Sequence, residues 1–308
     1  MSSKPILMVG LICLDIINFC DRYPKEDEDI RAIDQKWSQG GNATNTSLVL
    51  TLLGRECELL ATVGAGMETE FTLAALDRLG ISHGNCVHHS HCRLPTSYVV
   101  INRGTGSRTI VHYRNLPELS AADFIKLDIS KYGWIHFEGR QPDQYRAMME
   151  QVATYNASQT KSSSRVKISV ELEKKRLSTS ELVLFADVVM MSKEYAISNG
   201  YQSAEEAVVG LRAKVKPGAI VTCTWGDRGA AASDQEEKVW SCPAIPSPRV
   251  IDTLGAGDTF NAGIIHSLYK GCSTEQALKF ACELAGAKCG MEGFDGLKEF
   301  GEHLHVNH

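Results

Sequence analysis

The chain has 308 residues, 43% of them hydrophobic and 22% charged, a mix that allows a globular protein with a large core. A net charge of −5 and a pI of about 6.1 offer nothing to recruit nucleic acid or an anionic membrane. No stretch approaches the ~18 apolar residues of a membrane span, no cleavable leader is visible after Met1, and ten cysteines without a C-x-x-C pair read as reduced thiols of a cytoplasmic protein.

Residues 5–14 form a nearly continuous apolar run ending at Asp15, the pattern of one strand buried on both faces of a parallel sheet. Gly40-Gly41-Asn42 opens a helix expected over residues 43–53, closed by Gly54, and a second helix is expected over 69–79, closed by Gly80. The run Cys86-Val-His-His-Ser-His-Cys92 is too dense in Cys and His for tetrahedral zinc and is expected as an exposed loop. Residues 97–102 and 108–113 are β-rich and joined by Arg103-Gly-Thr-Gly-Ser107, which predicts a hairpin. Residues 30–37 add a further strand. A β layer without helices of its own, over about 12–38 and 95–115, reads as a lid beside a βα core.

Beyond Tyr132, strands are expected at 134–137, 167–170, 188–191 and 220–223, and helices at 143–155, 204–213, 256–269 and 274–289. Residues 159–164 read as a polar surface loop, Lys174-Lys175-Arg176 as a solvated turn, and residues 301–308 as a tail after a single domain ending near 300. The alternation predicts a doubly wound α/β fold with a mostly parallel sheet. Ligands in such folds bind beyond the carboxyl ends of the strands. Asp15, Glu138, Glu171, Glu173, Lys193, Trp225 and Gly226 are expected there.

Gly255-Ala256-Gly257-Asp258 precedes an apolar helical run. Two readings stand. One is an N-capping Asp on a glycine-opened helix. The other is a set of amides that hold a moving phosphoryl group while the carboxylate takes a proton from an attacking hydroxyl. Phe260 occupies the third glycine position of a G-x-G-x-x-G run, and no Walker A run occurs, so the commoner nucleotide motifs are excluded. An aspartate ordinarily titrates at ~4. Asp258 is therefore expected to be ionised at neutral pH and to act through position rather than through a tuned pKa.

Asp252-Thr-Leu-Gly-Ala-Gly-Asp-Thr-Phe-Asn-Ala-Gly-Ile-Ile265 resembles the C-terminal signature of the ribokinase-type (PfkB) sugar kinases, and Gly40-Gly41-Asn42-Ala-Thr44-Asn45 resembles their N-terminal one. The likeness extends over about the whole chain to Gly296. Tyr23-Pro-Lys-Glu-Asp27, Gly106-Ser-Arg-Thr-Ile110, Gln202-Ser-Ala-Glu-Glu-Ala207 and Gly293-Phe-Asp-Gly296 resemble the fructose-phosphorylating branch. The resemblance implies an ATP-dependent kinase that makes fructose 1-phosphate and ADP from D-fructose. Another sugar or a nucleoside as acceptor, or a sugar-binding protein without turnover, are the alternatives.

The resemblance implies Asp258 as base, the amides of Gly255, Ala256 and Gly257 as anion hole, and Asp15, Gly41, Asn42 and Asn45 with Asp258 as sugar site. It implies Arg108 and Lys193 on the nucleotide side, Trp225-Gly226-Asp227-Arg228-Gly229 as nucleotide loop, and Cys282 and Cys289 along the adenine pocket. Read from the residues alone, these are equally a strand-end turn, helix caps, a solvated arginine, a tight turn and core cysteines. Mg²⁺ would bridge the phosphates, and K⁺ is possible beside the backbone of Asp252 and Leu254. Lids pair in this family, which implies a homodimer with Asp27 reaching the partner's site. Two departures stand out. The Asn of an N-x-x-E magnesium motif is replaced by Met191, leaving Glu194, and Asp227-Arg228 brings positive charge where that branch is acidic.

Overall fold

The computed structural model describes residues 4–174, 179–245 and 247–303; Lys175 and Arg176 of the basic run and residues 304–308 of the expected tail lie outside them. In chain order the first half runs β1 (Ile6–Val9), β2 (Cys13–Cys20), β3 (Asp34–Gly40), α1 (Asn42–Leu52), β4 (Cys57–Leu60), β5 (Thr62–Ala65), α2 (Met67–Leu79), β6 (Val87–Arg93), β7 (Thr96–Asn102), β8 (Arg108–Tyr113) and α3 (Ala121–Phe124). The second half runs β9 (Trp134–Glu138), α4 (Pro142–Ser158), β10 (Lys167–Leu172), β11 (Val188–Met191), α5 (Lys193–Ser198), α6 (Ala204–Arg212), β12 (Ile220–Thr224), β13 (Ala230–Ser233), β14 (Val239–Cys242), α7 (Ala256–Tyr269), α8 (Thr274–Cys289) and α9 (Lys298–His303).

The main sheet has eight strands in the order β14-β13-β12-β11-β10-β9-β1-β4. From β12 to β4 every pairing is parallel, and β13 and β14 add an antiparallel edge. Its central strands are mostly apolar and almost wholly buried because helices cover both faces. Alternate residues divide between two cores. Ile6, Met8 and Trp134 face α1, α7 and α8, whereas Leu7, Val9 and Phe137 face α4 and α6. This is the doubly wound α/β fold expected from the alternation.

A second sheet, β3-β2-β7-β8, stands beside it. Here β2 pairs antiparallel with β3 and parallel with β7, and β7 pairs antiparallel with β8. Its inward residues Ile17, Phe19, Val99 and Ile101 form a small core of their own with Leu254 packed against it.

Four local expectations need correction. The apolar run 5–14 is two strands in two sheets. Side chains replace the ladder at its break, since Leu11 N–H donates to Glu138 Oε2 at 2.9 Å and the Leu11 carbonyl accepts from Thr44 Oγ1 at 2.8 Å. The strand expected at 30–37 begins later, because its pairing with β2 is made through backbone that carries polar side chains. The segment 86–92 is largely strand rather than loop, paired parallel with β5. The tail is helical through His303.

Candidate active site

Two helices open onto one cleft. α1 begins after Gly41 and α7 after Gly255, whose φ values are +104° and +77°. Side chains disfavour that region, and a Cβ would strike the Leu11 carbonyl at Gly41 and the Phe294 ring at Gly255. Gly257 is different. A Cβ there would meet nothing within 4 Å, so no protein atom requires glycine at that position.

Asp258, in the first turn of α7, is buried and accepts from Asn45 Nδ2 at 2.8 Å. Asn45 Oδ1 is itself buried without a partner among the described residues. Asn42 Nδ2 reaches both Glu171 oxygens at 3.2 Å and Glu173 Oε2 at 3.3 Å. Glu138, at the end of β9, spans the other side: Oε2 accepts from Leu11 N–H and from Ala43 N–H at 3.2 Å, and Oε1 accepts from Arg140 at 3.0 Å. The site therefore gathers Glu138, Glu171, Glu173 and Asp258 at strand and helix ends, together with Asp15, which lies inside β2 rather than beyond the carboxyl end of a strand as expected.

Burial pushes the Asp258 carboxyl up to about 8, and the charges of Glu173, Glu138 and Asp15 add to the rise against the Asn45 hydrogen bond. Burial also raises Glu171 well above the usual carboxylate range, helped by Asp258, Glu173 and Glu138. This corrects the expectation of an untuned aspartate. Both shifts favour the protonated forms within the cluster. A bound cation or a sugar hydroxyl would change that balance.

The residues expected on the nucleotide side lie on several different elements. Arg108, on the lid, donates to Thr253 Oγ1 at 3.1 Å, two residues before Gly255. Trp225 is buried and its backbone N–H donates to the Gly229 carbonyl at 2.7 Å, closing the tight turn, while the Arg228 guanidinium lies 5.3 Å from the centre of the indole ring. Asp227 and Arg228 form a single turn of 3₁₀ helix there. Cys282 is buried on α8, and the Cys289 carbonyl accepts from Ile251 N–H at 2.7 Å. Lys193 starts α5, whose cap Ser192 also bonds the Glu173 carbonyl at 2.6 Å. Glu194 follows it on an exposed turn. Asp27 is exposed between β2 and β3 at φ 58°.

Sequence reasoning missed Lys288. Its side chain is fully buried, and its ammonium donates to the Asp252 carbonyl at 3.0 Å and to Asp252 Oδ2 at 2.7 Å. Asp252 Oδ1 accepts from Leu254 N–H at 2.8 Å, and Gly293 N–H reaches Oδ2 at 3.3 Å. This pair ties the loop before α7 to the end of α8. A Lys in the last turn of a helix ordinarily points to solvent and complements the dipole, so no pattern marks it.

The sequence pattern of the pfkB family carbohydrate kinases matches residues 3–297. Ketohexokinase of Mus musculus is 43% identical over 298 residues, which cover 96% of this chain and 100% of the mouse protein. Ribokinase from Giardia lamblia superposes with a TM-score of 0.83 at 17% identity, covering 98% of this chain and 99% of that one. Arabidopsis thaliana ribokinase complexed with ribose and ATP superposes at 0.77 with 21% identity, covering 100% of both chains. Among the described residues no helix is long and apolar enough to cross a membrane.

Proposed function

Because this chain belongs to the pfkB family of carbohydrate kinases, we propose that it transfers the γ-phosphoryl group of ATP to the C1 hydroxyl of D-fructose, giving fructose 1-phosphate and ADP. The choice of a ketose rests on the likeness to mouse ketohexokinase over its full length. One observation carries the chemistry: a buried carboxyl on the first turn of α7, beside a glycine whose missing side chain leaves open space.

In this reading Asp258, once deprotonated, accepts the C1 proton. The freed oxygen forms a bond to the γ-phosphorus as the bridging bond to ADP breaks. The Gly257 N–H has no intrahelical acceptor, being in the first turn. It and the helix dipole would carry the charge of the moving group, with Gly255 and Ala256 shaping the approach. Asn45 Nδ2 orients Asp258, and its unpartnered Oδ1 is an acceptor for a sugar hydroxyl. Asp15, Gly41 and Asn42 would complete the sugar site. Arg108, Lys193 and the turn from Trp225 to Gly229, with Asp227 and Arg228, would bind the nucleotide. Cys282 and Cys289 would border its base.

Mg²⁺ suits the cluster. Glu171 and Glu173 offer oxygens, and their mutual repulsion is relieved by a cation. Among the described residues no three such side chains could hold an ion by themselves. Bound there, Mg²⁺ would neutralise phosphate charge. Glu194, exposed on α5, is less well suited than Glu173. K⁺ suits its expected place poorly, since the Asp252 carbonyl already accepts from the Lys288 ammonium.

The same reading takes the protein as a cytoplasmic homodimer. The outer face of the lid leaves Tyr98, Val111 and Tyr113 exposed at 50%, 65% and 52%, an apolar surface for a second lid, from which Asp27 would reach the partner's site. Sedimentation would report a dimer that Val111→Glu turns into a monomer. The substrate is tested by ATP consumption across fructose, other ketoses, ribose and adenosine. Fructose should lead; ribose or adenosine in front would sink the assignment.

A further inference from the structure

In the ladder between β2 and β3, Cys13 is in register with Gly40 and Asp15 with Ser38. Directly opposed residues share a face, as do residues two apart on one strand. Cys13, Asp15 and the absent side chain of Gly40 therefore belong to one face. Across an antiparallel pair the diagonal neighbour is also within reach, and Asp15 takes that diagonal. A Cβ added at Gly40 would collide with Asp15 Cγ, Oδ1 and Oδ2, its three nearest neighbours, all closer than 3.0 Å.

The two glycines of the pair differ in what requires them. Gly41 has a φ of +104°, and a Cβ there would strike the Leu11 carbonyl. The φ of Gly40 is not positive. What a side chain at position 40 meets first is the Asp15 carboxyl. Asp15 is buried, at 8% exposure, and accepts from the Cys13 thiol at 3.6 Å. A thiol is a weak donor, so the room around the carboxyl matters more to its aim. Gly40 ends β3, and α1 begins two residues later at Asn42. The diagonal thus carries the carboxyl from the interior of β2 toward the mouth of α1, where Asn42 and Asn45 stand.

We propose that Gly40 is a positioning residue for Asp15. Its missing side chain is the slot through which the lid carboxylate leans toward the mouth of α1, and this fixes where a sugar hydroxyl can be held. Gly40 acts only through Asp15. The slot also accounts for how an aspartate inside a strand reaches a site otherwise built from strand and helix ends.

This inference rests on the proposed sugar site at Asp15, so its test has one arm that needs no substrate. In denaturant titrations Gly40→Ala should raise the unfolding equilibrium constant roughly ten- to a hundredfold, the usual range for overpacking. Asp15→Ala removes the obstacle, so adding Gly40→Ala to it should change that constant by less than about twofold. Asp15→Asn keeps the volume, and in that background the loss should return. Equal losses beside Asp15 and beside Asp15→Ala would mean that Gly40 serves the strand alone, and would overturn the proposal. Should Gly40→Ala not fold at all, the comparison of Asp15→Ala with the double variant still decides: a folded double variant supports the slot and an unfolded one refutes it. The kinetic arm uses the sugar that the wild-type protein turns over fastest. Gly40→Ala should raise the sugar KM roughly tenfold, as expected for misplacing one bond to a charged group, with the nucleotide KM within about twofold and kcat within about threefold. Added to Asp15→Ala, it should raise the sugar KM no further. An unchanged sugar KM, or a further rise in the Asp15→Ala background, which would mean that the methyl group meets the sugar itself, sinks the idea. Failure of the wild-type protein to phosphorylate any sugar would instead overturn the proposed function, leaving the denaturation cycle to judge whether Gly40 seats Asp15.

Discussion

The two helix entrances at the cleft begin alike and end differently. Both start after a glycine with positive φ, and both have first-turn amides that no helical carbonyl accepts from. At α1 the protein supplies its own anion: Glu138 accepts from Leu11 N–H and Ala43 N–H and is balanced by Arg140. At α7 no carboxylate plays that part. The loop before it is pinned from behind, by Asp252 and Lys288, and the space beside Gly257 stays clear. An entrance already filled by a carboxylate repels phosphate, whereas one braced from outside can receive it. In the proposed function this difference would separate a sugar side, suited to fixed hydroxyl contacts, from a phosphoryl side, suited to arriving negative charge.

The sharpest way to break this comparison is at Asp258. Asp258→Asn keeps the shape of α7 and removes the base, so kcat should fall about 10³-fold or more while sugar binding persists. Calorimetric titration with the sugar and a turnover assay check the two halves. A variant that turns over at a tenth of the wild-type rate would mean that another group accepts the proton. Next comes the brace. Lys288→Met leaves Asp252 buried and unpaired, which should cost about 3–5 kcal/mol in a denaturant titration, far more than loss of an exposed lysine. A loss below 1 kcal/mol would show that Asp252 is held by its amide donors alone.

The glycines give a contrast of smaller size. Gly257→Ala puts a methyl group into open space on a helix, so stability should hold or rise by about 0.5–1 kcal/mol, while kcat falls roughly 10²-fold through the lost approach to the phosphoryl group. Gly41→Ala should do the reverse. Its positive φ alone costs about 1–2 kcal/mol, and the Leu11 carbonyl blocks the new Cβ. Denaturation midpoints and initial rates on the pair would show whether the two entrances divide the work in this way. If both variants lost stability alone, the open space at Gly257 would have no functional meaning.

Much of this was legible in the sequence because its causes are local. Apolar runs at 134–137, 188–191 and 220–223 are strands since they are buried on both faces, and helices α7 and α8 start and stop where glycine and serine punctuate them. The segment 5–14 misled because both of its strands are apolar, and what divides them is a hydrogen bond from Leu11 to a carboxylate 127 positions away. Glu138, Glu171 and Glu173 were recognisable as strand-end residues, but their crowding around Asp258 was not. Lys288 and the approach of Asp15 to Gly40 depend on which residues meet across elements, information that no single run carries.

The smallest effect concerns the proton on Asp258, and it runs in two directions. Its carboxyl rises from the ordinary 3.8 to about 8 in the folded protein. Between those values the folded state binds more protons than the unfolded chain, so stability should fall as pH rises through the window. Asp258→Asn removes that slope, and the variant should gain on the wild-type protein toward alkaline pH, by on the order of 1–2 kcal/mol once the coupled Glu171 takes its share of the repulsion. Catalysis needs the other form. kcat/KM should climb about tenfold per pH unit below about 8 and then level off. One proton therefore stabilises the resting site and silences it. A flat kcat/KM between about pH 6 and 8, with the stability slope intact, would mean that the arriving nucleotide and its cation strip the proton before the sugar binds. A flat stability curve as well would mean that Asp258 is an ordinary carboxylate, and that only its position at the mouth of α7 matters.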